Sequence, residues 1–148
     1  MYRKVSEDEN TNFHLVFDKT PFYPESGGQV GDKGVIYDGN EKIRVLDTFK
    51  ENDLVIHLAE KLPSSLDDKI KIEIDKNRRE FISKNHSATH LLHSALRDTL
   101  GNHISQKGSL VNEKILRFDF SHFSKIDVDS LEKILSLIHI SEPTRLSA

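Results

Sequence analysis

Two histidines, His86 and His90, stand four residues apart in the run Asn85-His86-Ser87-Ala88-Thr89-His90-Leu91-Leu92-His93. On a helix that spacing puts both imidazoles on one face, close enough to bind a single metal ion. Neutral imidazoles suit zinc, and a helix fixes their orientation in advance. A zinc protease of the His-Glu-x-x-His kind needs glutamate after the first histidine, where Ser87 stands. The chain has no cysteine, so further ligands must be histidine, carboxylate or water, or come from outside it. With eight histidines in 148 residues, a chance pair at this spacing serves as well as a metal pair. His93 falls on a neighbouring face and reads as a polar supporting residue rather than a third ligand.

Pro24-Glu25-Ser26-Gly27-Gly28-Gln29 is a second candidate. Gly27 and Gly28 would let the backbone approach a ligand closely, and Gln29 could read that ligand by hydrogen bonds. No Gly-Lys-Ser/Thr follows, which excludes a Walker phosphate loop, and a plain structural turn also accounts for the composition. From His103 to Val111 polar residues alternate with small or apolar ones. Such a strand points Gln106 into a cleft beside the histidine helix, or is an ordinary sheet edge. Lys69, Lys71, Lys76, Arg78, Arg79 and Lys84 cluster ahead of the histidines. They could meet phosphates or simply face solvent.

The elements that must position these residues follow from pattern. Residues 1–12 are polar and expected to fray. Phe13 to Asp18 reads as a strand, and the prolines and glycines between Thr20 and Gly34 exclude a helix there. Short strands follow over Val35–Tyr37, Ile43–Phe49, Asp53–Leu58 and Ile70–Ile74, with turns at Asp38-Gly39-Asn40 and Glu51-Asn52. This spacing predicts a small β-barrel or meander over residues 13–75. Asp75 should cap a helix running to about Leu100, with Gly101 as its stop. Its apolar stripe includes Phe81, Ile82, Ala88, Leu92, Ala95 and Leu96. Strands over Ile104–Gly108 and Lys114–Phe120 and a helix capped by Asp127 or Asp129 complete the chain.

Bulk numbers narrow the class. A content of 36% hydrophobic and 30% charged residues fits a globular protein, and a net charge of −3 excludes a generally basic nucleic-acid binder. No apolar run reaches the roughly 20 residues a membrane span needs, and the first residues hold no signal core. The lack of cysteine fits a reducing compartment.

Taken together, the motifs stop being generic. Thr20 to Gly34, Asn85 to His93, Gln106-Lys107-Gly108-Ser109-Leu110-Val111 and Leu116-Arg117-Phe118-Asp119-Phe120-Ser121-His122 closely resemble alanyl-tRNA synthetase, in that family's order and spacing. The resemblance covers roughly Phe13 to Leu135 and falls at the junction of the tRNA-recognition region with the editing domain. It implies an α+β fold, with a β-barrel-like module over 13–75 and the start of an α/β editing domain, bearing the long histidine helix, over 76–135. That domain removes serine or glycine wrongly joined to alanine tRNA, so the expected partner is the acceptor end of tRNA(Ala), in the cytoplasm and without a membrane. The resemblance makes His86 and His90 zinc ligands and Gln106 a catalytic editing-pocket residue. Gly27, Gly28, Gln29, Ser87, Lys76, Arg78 and Arg79 become substrate-binding candidates. ATP belongs to the family's aminoacylation domain, outside this segment.

Two departures stand out. Ser87 occupies a position where the family usually has threonine, and the family's later Cys-x-x-x-His falls beyond the chain. Residues 136–148 do not resemble the family's continuation and read as an adaptor-derived tail. Two other readings are a truncated free-standing trans-editing hydrolase, which shares the glycine loop and histidine pair, and a non-catalytic zinc- or RNA-binding module.

Overall fold

The computed structural model describes residues 1–7, 10–66 and 69–141. The chain divides into two compact units. Unit 1 comprises Met1–Ser26 and Val30–Arg79; unit 2 comprises Gly27–Gln29 and Glu80 onward.

Unit 1 is one antiparallel sheet of β1 (Tyr2–Glu7), β2 (Asn10–Leu15), β3 (Gly34–Asp38), β4 (Glu41–Glu51), β5 (Leu54–Ala59) and β6 (Lys71–Ile74). The strand order is β1-β2-β5-β4-β3-β6. The hairpin between β4 and β5 turns on Asn52 and Asp53, both at positive φ (48° and 65°), the backbone a tight two-residue turn requires. Gly39 does the same work between β3 and β4 at φ 59°. Leu15, Phe22, Ile36, Ile43, Val45 and Ala59 form the core of this unit.

The structure corrects two expectations here. The sheet is open: β1 and β6 are its two edges and do not pair, so the module is not a closed barrel. The N-terminal segment is strand rather than frayed coil, because β1 pairs residue for residue with β2 from Tyr2↔Leu15 to Glu7↔Asn10. Backbone hydrogen bonding there outweighs the poor apolar content of the segment.

Among the described residues, Asp32, Thr48 and His57 are the buried polar residues of unit 1, and Thr48 Oγ1 donates to the Asp32 carbonyl at 2.8 Å. Asp32 is 2% exposed, accepts the Tyr23 amide at 2.7 Å and is ion-paired with the Arg79 guanidinium, whose Nε donates at 2.8 Å. A buried carboxylate without that pairing would carry a large desolvation cost. His57 is fully buried. Its Nδ1 lies 3.1 Å from the Leu15 carbonyl, which can only accept, so Nδ1 carries the proton. Nε2 therefore accepts from the Thr20 hydroxyl at 2.7 Å, and that oxygen in turn accepts the Phe22 amide. Phe17 and Phe22 meet the ring edge-on.

Unit 2 contains most of α1 (Lys76–Leu100), the hairpin of β7 (Gln106–Val111) and β8 (Leu116–Phe120), and α2 (Val128–Ser141). Both helices have the expected caps. Asp75 Oδ1 accepts the Arg78 amide at 3.0 Å and Asp127 Oδ1 accepts the Ser130 amide at 2.7 Å. Gly101, at φ 120°, closes α1 through its amide to the Arg97 carbonyl. Ala95 and Leu96 of α1 join Ile104, Ile134 and Ile138 in a second core. Phe81, placed on the apolar stripe by the sequence pattern, is 56% exposed. α2 runs into the segment set aside as a tail, and Ile138 is 1% exposed. Apolar residues one helical turn apart are enough to extend the helix to Ser141; residues 142–148 lie outside the described residues.

Burial holds the His57 pKa below its ordinary 6.5, against the smaller opposite effect of the Leu15 carbonyl. The unfolded chain therefore binds a proton there before the folded chain does, and stability present above that value is lost as pH falls below it. Urea unfolding between about pH 7.5 and about pH 5 should show this decline, and His57→Gln should flatten it. Equal stability across that range would contradict the assignment.

Candidate functional site

In unit 2 the middle of α1 faces the β7–β8 hairpin and the Gly27–Gln29 segment across a cavity of about 110 Å³. Three features build it. Asn85 anchors α1 to the hairpin turn, its Nδ2 donating to the Asn112 carbonyl at 2.8 Å, while Asn112 Oδ1 accepts the Lys114 and Ile115 amides. The Val111 amide donates to the Gly28 carbonyl at 2.8 Å, and Gln29 bridges Val111 in parallel register. Gly28 sits at φ 83°, and a Cβ there would lie 2.3 Å from Ser109 Oγ and 2.4 Å from the Ser109 carbonyl oxygen. Only glycine admits that approach.

The third feature is a β-bulge. Gln106 pairs with Phe120 and Gly108 with Asp119, leaving Lys107 as the extra residue. In a regular strand Lys107, Ser109 and Val111 would share a face. The bulge substitutes Gln106 for Lys107, so that Gln106, Ser109 and Val111 line the cavity. Gln106 Nε2 donates to Ser109 Oγ at 3.1 Å, and Ser109 Oγ donates to the Gly27 carbonyl at 3.3 Å.

His86 and His90 lie on the cavity wall as the helical spacing requires, with Nε2 atoms 3.0 Å apart. At that separation one ring donates its N–H to the lone pair of the other. A metal would need both lone pairs, so its binding must break this contact and move the proton to an Nδ1. Two nitrogens are half of a structural zinc site and fewer than the three protein ligands usual in a catalytic one. Among the described residues, no three histidine, aspartate or glutamate side chains come together as a metal centre. The residues present therefore do not by themselves fit zinc.

The remaining candidates divide cleanly. Gly27 lines the cavity with His86, His90 and Gln106, whereas Ser87 is exposed and does not. Gln29 is 8% exposed and serves the bridge to Val111. Lys76, Arg78 and Arg79 belong to unit 1. Arg79 is committed to Asp32, Arg78 donates to the Gly31 carbonyl at 2.8 Å, and Lys76 is exposed. The sequence reading missed Thr89, Ser109 and Phe118 as lining residues; the Gly28 contact and the bulge that place Ser109 leave no signature in spacing. A larger concavity of about 500 Å³ lies on unit 1, lined by residues such as Lys33, Arg44 and Glu73. It holds no imidazole, and the smaller cavity is where the chemistry-bearing side chains meet.

A family model described as tRNA synthetases class II (A) matches residues 2–78, more than half of the chain. The chain belongs to that family. It is 50% identical over 138 residues to the alanine–tRNA ligase of Cytophaga hutchinsonii, covering 93% of this chain and 16% of the relative. To the alanine–tRNA ligase of Christiangramia forsetii it is 47% identical over 148 residues, 99% of this chain and 17% of that protein. The Bacteroides fragilis alanine–tRNA ligase is 49% identical over 138 residues, 93% and 16% respectively. The resemblance to alanyl-tRNA synthetase is borne out, and the chain spans about one-sixth of the length of these relatives.

With two imidazoles available, zinc titrated into this chain should bind with a Kd of about 1 μM or weaker, and His90→Ala should abolish the binding. Nanomolar affinity measured by competition with a chromophoric chelator would contradict the two-ligand description.

Proposed function

We propose that unit 2 belongs to the editing region of an alanine–tRNA ligase and takes the mischarged acceptor end of tRNA(Ala) in the cytoplasm. The reading rests on the meeting of His86, His90 and Gln106 at one small cavity in a chain of this family. The need for such a site is physical. A synthetic pocket shaped for alanine excludes smaller glycine poorly and rejects an added hydroxyl only modestly, so a second, hydrolytic site must remove the errors.

In this reading water attacks the carbonyl carbon of the seryl or glycyl ester. The bond to the terminal ribose oxygen breaks, releasing the free amino acid and restoring the ribose hydroxyl. Gln106 orients the ester through its amide, and Gly27 contributes to the cavity wall. His86 and His90 would be two nitrogen donors of a zinc site completed by ligands outside the described residues. Lys76 offers its charge to tRNA phosphates. Arg78 and Arg79 act at one remove, by holding the Gly31–Asp32 backbone and carboxylate.

The experiment is deacylation of Ser-tRNA(Ala). A full-length enzyme carrying these residues should hydrolyse it, and His90→Ala should reduce that rate about 100-fold while leaving alanine charging intact. This chain alone should show no hydrolysis above buffer. Robust hydrolysis by the isolated chain, or an unchanged rate in the His90→Ala enzyme, would overturn the proposal.

A further inference from the structure

His93 also lines the cavity, and its Nε2 is buried with no hydrogen-bond partner. The other polar side chains on the wall are engaged. His86 and His90 bond each other, Thr89 donates to the Asn85 carbonyl at 2.9 Å, and Gln106 and Ser109 are chained to Gly27. The Phe118 ring lies 5.1 Å from the His93 ring, centre to centre, tilted by 39°. A buried ring nitrogen left unpaired is costly, and such an atom calls for a missing partner. Among the described residues, His93 forms no three-membered ligand group with His86 and His90.

We propose that His93 is a specificity-determining residue that hydrogen-bonds the side-chain hydroxyl of a seryl ester bound in this cavity, an inference that rests on the editing reading above. A cavity of about 110 Å³ has room for a small aminoacyl group. A hydroxyl can donate or accept and so satisfies Nε2 in either tautomer of the ring. A glycyl ester offers no such group and leaves Nε2 unpaired.

The test compares Ser-tRNA(Ala) with Gly-tRNA(Ala) as substrates for the full-length enzyme and its His93→Phe and His93→Gln variants. His93→Phe should lower kcat/KM for the seryl ester about 10- to 100-fold and change the glycyl value less than about threefold. His93→Gln, which restores a hydrogen-bonding amide, should recover most of the seryl activity. An equal fall for both esters, or no fall, would overturn the role of His93 while leaving the editing reading in place. Failure of the unsubstituted enzyme to hydrolyse either ester would overturn both.

Discussion

The Gly28 carbonyl accepts the Val111 amide at 2.8 Å, with the glycine backbone drawn against Ser109 more closely than any side chain would allow. Much of the candidate site follows from this contact. It places the Gly27 carbonyl where the Ser109 hydroxyl reaches it, and Ser109 in turn holds the Gln106 amide. The cavity is therefore lined by Gly27 and by the hydrogen-bonded residues Gln106 and Ser109 of β7. The histidine pair of α1 supplies the wall they face. Substitution at Gly28 would meet two obstacles at once, a positive φ and a backbone carbonyl in the way.

Unit 1 holds together on a different principle. Its core is apolar, but its loop between β2 and β3 is fixed by groups that are costly to bury unpaired. Asp32 is held by a guanidinium and the Tyr23 amide, while His57 is held by a carbonyl and a hydroxyl. Such arrangements specify one loop conformation, since every alternative strands a polar group away from water. The arginines that the sequence offered as phosphate contacts are spent on this task. A charged side chain near a candidate site cannot be assigned to substrate until its partners within the fold are known.

Legibility in the sequence tracked how local the determining interaction is. The caps at Asp75 and Asp127, the Gly101 stop, the Asn52 turn and the histidine face of α1 depend on neighbours within a few residues, and spacing revealed them. The open sheet did not show, because whether two edge strands meet is decided by the pairing of distant segments. The strand at Tyr2–Glu7 was hidden for the same reason: its stability comes from its partner β2 rather than its own composition. A cleft-facing Gln106 was one of two readings of the alternation, and the register that places it depends on a bulge at Lys107 that alternation does not encode. His93 was read as a supporting polar residue; only the burial of its unpartnered Nε2 and the engagement of its neighbours single it out.

The central claim is that the Gly27–Gln29 segment is joined to β7 and so closes the cavity beside His86 and His90. Native-state hydrogen exchange at the Val111 amide reports on that join directly. The account predicts protection comparable to the amides paired within the β7–β8 hairpin. Exchange at the rate of an unprotected amide, with the hairpin itself still protected, would contradict it.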